Sequence, residues 1–126
     1  MRIAHAALWT RNLDEAAEFW RRTFGASIGE PYHSQRRPGF VSRFVTLPGG
    51  ATIELMTGPW IASAPVGDSV GWDHLAISLG DSATVDSLVA QCEVDGRLIS
   101  PARLTGDAHY EAVIATPDGP RIEITA

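Results

Sequence analysis

The chain has 126 residues, 44% of them hydrophobic and 20% charged, which are the proportions of a soluble globular domain able to bury a core. A net charge of −5 without a long basic run argues against nucleic acid or an anionic membrane as the main partner. Cys92 is the only cysteine, which excludes an intrachain disulfide and fits a reducing cytoplasm.

Met1-Arg-Ile-Ala-His5 leads straight into a strand pattern, so neither a signal segment nor a bilayer-spanning run is expected. Residues 3–10 read as a strand with Ile3, His5, Ala7 and Trp9 on one face and Ala4, Ala6 and Leu8 on the other. Asn12 offers a helix cap, with Glu15 three residues on. Leu13, Ala16, Ala17, Trp20 and Phe24 then form one helical face, and Gly25 ends the helix. Residues 26–32 start a second strand. Pro31 and Pro38 bracket a polar hairpin loop, His33-Ser-Gln-Arg-Arg37. Phe40 to Leu47 is a third strand, Pro48-Gly49-Gly50 a turn, and Ala51 to Met56 a fourth. This first module, about 1–57, is βαβββ.

Residues 58–71, rich in glycine and proline, read as an irregular connection. The second module, about 72–126, repeats the plan. A strand at 72–79 precedes a helix capped by Asp81, carrying Val85, Leu88, Val89 and Cys92 on one face and ended by Gly96. Strands follow near 98–105, 109–116 and 120–125, with turns at Gly106-Asp107 and Asp118-Gly119. The expected fold is α+β. Tandem βαβββ modules make a single domain, 1–126, whose mostly antiparallel curved sheets form a cleft with the helices outside.

The modules echo each other at one fixed offset. His5 and His74 are 69 residues apart, as are Pro48 and Pro117, Gly50 and Gly119, and Glu54 and Glu123. Strand alternation puts Ile53 and Leu55 on one face and Thr52, Glu54 and Met56 on the other. It likewise separates Ile122 and Ile124 from Arg121, Glu123 and Thr125. The apolar faces should take the helices, leaving both glutamates on the helix-free side with His5 and His74. Two imidazoles and two carboxylates suit one divalent ion per site, such as Zn, Ni, Co, Mn or Fe. A lone histidine or glutamate on such a strand would read as structural or solvent-facing. Four matches at one offset favour metal ligation by His5, Glu54, His74 and Glu123.

At His5-Ala-Ala-Leu8, Gly50-Ala-Thr-Ile-Glu-Leu-Met56, Gly71-Trp-Asp-His-Leu-Ala-Ile-Ser78 and Thr116-Pro-Asp-Gly-Pro-Arg-Ile-Glu-Ile124, the chain resembles the vicinal oxygen chelate superfamily, which holds glyoxalases, bleomycin-resistance proteins and dioxygenases. The order His, Glu, His, Glu is similar to the metal set of its glyoxalase I (lactoylglutathione lyase) members. The resemblance implies a lyase or isomerase acting on a small oxygen-chelating substrate, with the ion stabilising an enediolate and Glu54 or Glu123 moving the proton. The alternatives it leaves are a non-catalytic drug- or metabolite-binding protein or a metal-dependent dioxygenase, and the intact ligand quartet favours the lyase or isomerase. Two departures tell against glutathione as co-substrate: Trp9 stands where those enzymes carry an arginine, and Gly58 where they carry an asparagine. Similar small members pair as homodimers. His5 and Glu54 of one chain are therefore expected to face His74 and Glu123 of another, and closure of both halves within one chain is the less favoured arrangement.

Trp9, Met56 and Arg121 are the candidate substrate-binding residues, since each shares a face with a candidate ligand; packing or an exposed strand end is the plainer role. Arg36, Arg37 and Arg43 could grip an anion, though a solvated loop suits the first two. Tyr110 could donate a proton in the cleft, with strand packing the simpler reading. His33 and His109 lack a 69-residue partner and are set aside as ligands. Cys92 belongs to a buried helix face as an inert thiol.

Overall fold

The structure, a computed structural model, describes residues 2–62, 70–106 and 108–126. Much of the expected connection at 58–71, and Asp107 of the expected Gly106-Asp107 turn, lie outside the described residues. The chain divides into two compact units, Met1–Ser63 and Ala64–Ala126.

In the first unit β1 (Ala6–Trp9) leads into α1 (Leu13–Phe24). The Asn12 side chain accepts from the Glu15 amide at 3.1 Å, and Gly25 closes the helix in the left-handed region at φ 65°. Four strands follow: β2 (Ser27–Ile28), β3 (Tyr32–His33), β4 (Val41–Thr46) and β5 (Thr52–Thr57). The sheet runs β1-β5-β4-β2 with β3 also on β4, and β1 lies parallel to β5. The helix lays Ala16, Ala17, Phe19 and Trp20 against Val45, Ile53 and Leu55, all buried. Phe19 joins this core beside Trp20 and Phe24, whereas Leu13 and Phe24 remain half-buried.

The single second strand expected from 26–32 is a correction: it is two short pieces. Ile28 pairs with Val45 and Tyr32 with Ser42, so three intervening residues on one side face two on the other. Pro31 has no amide hydrogen to give the ladder, and the Gly29 amide bonds to the Phe44 carbonyl at 2.8 Å on the near side of the break. The polar loop behind β3 closes as expected, with Ser34 and Phe40 joined through their backbones at 3.1 Å.

The second unit repeats the order with β6 (His74–Ser78), α2 (Ser82–Val94), β7 (Leu98–Leu104), β8 (Tyr110–Ala115) and β9 (Arg121–Thr125). Its sheet runs β6-β9-β8-β7, with β6 parallel to β9. Asp81 caps α2 by accepting from the Thr84 amide at 2.8 Å. Val85, Leu88 and Cys92 meet Ala112, Ile114, Ile122 and Ile124 in a second core. Pro101 falls on β7, an edge strand whose register shifts twice, the place where a strand tolerates a missing donor. The repeated turns match in detail. Gly50 at φ 87° bonds back to Leu47, and Gly119 at φ 102° bonds back to Thr116, conformations that suit glycine. Among the described residues, no helix is long and apolar enough to cross a membrane.

Candidate metal centre

Each unit builds one His–Glu pair by the same device. Glu54 lies in the sheet between Ala7 of β1 and Phe44 of β4. Glu123 lies between Ala76 of β6 and Val113 of β8. Each histidine precedes its strand's alanine by two residues, on the same face, and reaches diagonally to the glutamate. His5 Nε2 is 3.6 Å from Glu54 Oε2, and His74 Nε2 is 3.5 Å from Glu123 Oε2. The neighbours Ile53, Leu55, Ile122 and Ile124 are buried against the helices, so both pairs occupy the helix-free faces that alternation assigns them. Both glutamates are about four-fifths covered, at 20% exposure, while His5 and His74 keep 40% and 36%, enough to admit a ligand.

The surroundings of the two pairs differ. In the second unit Asp73 Oδ2 stands 2.8 Å from His74 Nδ1, and its Oδ1 accepts from an Arg121 guanidinium nitrogen at 2.8 Å. The bond from His74, reinforced by the charge of Arg121, holds the Asp73 carboxyl below the ordinary carboxylate range. In the first unit the surroundings are aromatic. His5 meets Phe44 edge-on with ring centres 5.3 Å apart. Further along the same face Trp9 pairs with Met56 in the ladder and packs edge-on against Phe40. The Arg37 guanidinium lies 4.1 Å from the centre of the Trp60 ring and 5.6 Å from that of Trp9.

Two residues lie away from the glutamate faces where they could have acted. Arg43 is opposite Leu55 in the ladder, on the helix side, and reaches Asp14 of α1 at 3.3 Å; it is not an anion grip on the glutamate face. Tyr110 donates to Asp86 of α2 at 2.5 Å, also on the helix side, so it is no proton donor beside Glu123. That hydrogen bond raises the phenol's pKa. Arg37 is exposed in its loop, as expected, and its guanidinium lies on aromatic rings. Cys92 is buried, and burial pushes its thiol up, as an inert thiol requires.

The family model described as Glyoxalase/Bleomycin resistance protein/Dioxygenase superfamily matches residues 2–124. The chain belongs to this superfamily. Solved members share its fold. A glyoxylase/bleomycin resistance protein/dioxygenase domain from Frankia sp. EAN1pec superposes with a TM-score of 0.83 at 18% identity, over 99% of this chain and 90% of that one. Glyoxalase I from Leishmania major, described as trypanothione-dependent, gives 0.77 at 19%, over 99% and 86%. A glyoxalase I mutant from Zea mays gives 0.78 at 20%, with 98% of this chain matching 44% of that one. No curated protein sequence matches at a significant level.

Superfamily members typically hold a divalent ion, and the spacing within each His–Glu pair suits two ligands of one. Donors about 2.1 Å from one cation stand roughly 3.0–3.4 Å apart at octahedral to tetrahedral angles. The observed 3.5 and 3.6 Å need only a slight inward turn. Among the described residues, no three His, Cys, Asp or Glu side chains already form a metal cage; each unit supplies a pair. The sequence does not single out Asp73, Phe40, Phe44 or Trp60, because the duplication pairs none of them with a residue of like chemistry. For Asp73 the available signal was a carboxylate immediately preceding a candidate ligand.

Proposed function

We propose that this protein is a metal-dependent, glyoxalase-I-like lyase or isomerase acting on a small oxygen-chelating substrate. The observation that carries this reading is the repeated Nε2–Oε2 approach, 3.6 Å in one unit and 3.5 Å in the other. His5, Glu54, His74 and Glu123 would together hold one divalent ion. Bound there, the ion supplies Lewis-acid polarisation of two neighbouring substrate oxygens. Glu54 or Glu123 takes a proton from one substrate carbon and returns it to the next, and its 20% exposure leaves room for that contact. Trp9 and Met56 form an apolar wall for the remainder of the substrate on the Glu54 side, and Arg121 lies beside His74 on the other.

Glutathione fits poorly as the thiol. Trp9 offers a ring already approached by Arg37 rather than a guanidinium of its own. At Gly58 a Cβ would meet Trp60 Cζ2 at 2.5 Å, so a side chain there would first have to displace the indole. The aromatic group of Trp9, Phe40 and Trp60 favours a second reading, capture of an apolar drug or metabolite without turnover.

Elemental analysis of protein purified without chelator tests the metal. Replacing His74 by Ala is expected to remove most of it while the protein stays folded, since His74 is outside the core. Full metal occupancy in a folded His5→Ala, His74→Ala double variant would sink the proposal. An assay panel then separates the activities. Turnover of α-hydroxy-carbonyl or hemithioacetal compounds supports the lyase or isomerase, and tight binding without turnover supports the second reading. Activity on the methylglyoxal–glutathione adduct is expected to be weak.

A further inference from the structure

The two His–Glu pairs come from one duplicated pattern, yet only one is buttressed. The positions 69 residues before Asp73 and Arg121 are Ala4 and Thr52. Ala4 has no polar side chain, and the Thr52 hydroxyl donates to the Ala4 carbonyl at 3.1 Å. Among the described residues the His5 ring meets Glu54 and, edge-on, Phe44, and no second carboxylate. His74 is held from both sides, by Asp73 at Nδ1 and Glu123 near Nε2. Arg121 stands directly opposite His74 in the parallel ladder, which is why its guanidinium reaches the same Asp73.

Resting on the metal-centre reading above, we propose that Asp73 is the positioning residue of this centre, fixing the ring and tautomer of His74, and that Arg121 holds Asp73 in place. An ionised carboxylate can only accept, so the 2.8 Å contact makes Nδ1 the donor. With Nδ1 donating, the nitrogen left for a cation is Nε2, the atom facing Glu123. The second-unit pair is therefore set before an ion arrives. The first-unit pair, with no such support at His5, is ordered by the ion itself. The two pairs are therefore unequal: His74 would meet an ion already braced by Asp73, and His5 would not.

Metal affinity of the full chain, measured with Zn(II) by chelator competition and with Co(II) by its visible absorption, tests this. Asp73→Ala is expected to weaken binding about tenfold to a hundredfold and to alter the Co(II) spectrum. Asp73→Asn, which keeps an acceptor but not the charge, should fall between that variant and the wild type. Arg121→Met should weaken binding less, and its effect should largely vanish in the Asp73→Ala background, because it acts through Asp73. In the metal-free protein, long-range proton–nitrogen NMR should show His74 as the Nδ1–H tautomer and lose that preference in Asp73→Ala. Wild-type affinity, spectrum and tautomer in a folded Asp73→Ala variant, with His74→Ala losing the metal, would overturn the proposal. A persistent full effect of Arg121→Met without Asp73 would remove Arg121 from it. Undiminished metal binding by His74→Ala would instead overturn the metal-centre reading beneath it.

Discussion

At Gly58 one hydrogen atom in place of a side chain decides where Trp60 can lie. A Cβ there would stand 2.5, 2.7 and 2.8 Å from three atoms of the indole, so the ring occupies the space a side chain would need, with Arg37 4.1 Å from its centre. Gly58→Ala is expected to push Trp60 outward and loosen Arg37 from the aromatic wall. Because Trp60 is 42% exposed and has somewhere to go, the stability cost should stay near about 1 kcal/mol, the low end for overpacking. Increased acrylamide quenching of tryptophan emission with a nearly unchanged urea midpoint would bear this out. Unaltered quenching would show that the indole does not rest there. Nothing in the sequence around Gly58 announces this contact, since it depends on which way a side chain two positions along folds back. The His–Glu pairs were legible for the opposite reason: strand alternation fixes their face and the duplication repeats them.

Among the elements, the helices are the most local in origin. Asn12 and Asp81 each accept from the amide three residues on, at 3.1 and 2.8 Å, as their spacing indicates. Asn12→Ala should cost about 1 kcal/mol at any pH between 3 and 7, because an amide does not titrate there. Asp81 behaves differently. The Thr84 backbone amide, followed by its hydroxyl, lowers the carboxyl's pKa below its ordinary value of 3.8. A carboxyl lowered in the folded state contributes stability that is fully present above its unfolded value and lost as pH falls through the folded one. The penalty of Asp81→Ala should therefore be full at neutral pH and shrink below about pH 4. Urea midpoints of both variants at the two pH values check this, and an Asp81→Ala penalty constant down to pH 2 would contradict it. The strands were less legible. Residues 26–32 contain the right residue types, but Pro31 and a one-residue mismatch with β4 break the ladder into β2 and β3. Where a ladder breaks depends on a partner strand eight or more residues away.

At the scale of the whole molecule, exposed aromatic residues bear on assembly. Trp9 at 39% and Phe44 at 42% exposure are large apolar groups beside candidate ligands, a feature that favours burial against another surface. A homodimer with His5 and Glu54 of one chain facing His74 and Glu123 of the other is the expected arrangement. Mixing His5→Ala with Glu123→Ala protein would then give heterodimers with one intact site and one lacking both ligands, and metal binding should return. If mixed dimers form without regaining metal, each site belongs to a single chain. The sequence by itself determined the duplication, the two βαβββ plans, the capped helices and the face on which each His and Glu lies. These follow from local spacing and from one offset repeated along the chain. Tertiary structure alone decided that Arg43 and Tyr110 turn to the helices, that Arg37 lies on Trp60, and that Asp73 with Arg121 braces one histidine of the two. Each of those is a long-side-chain contact between positions the chain keeps apart, or a rotamer choice between neighbours. Such contacts depend on packing after the backbone is placed, which no residue spacing encodes.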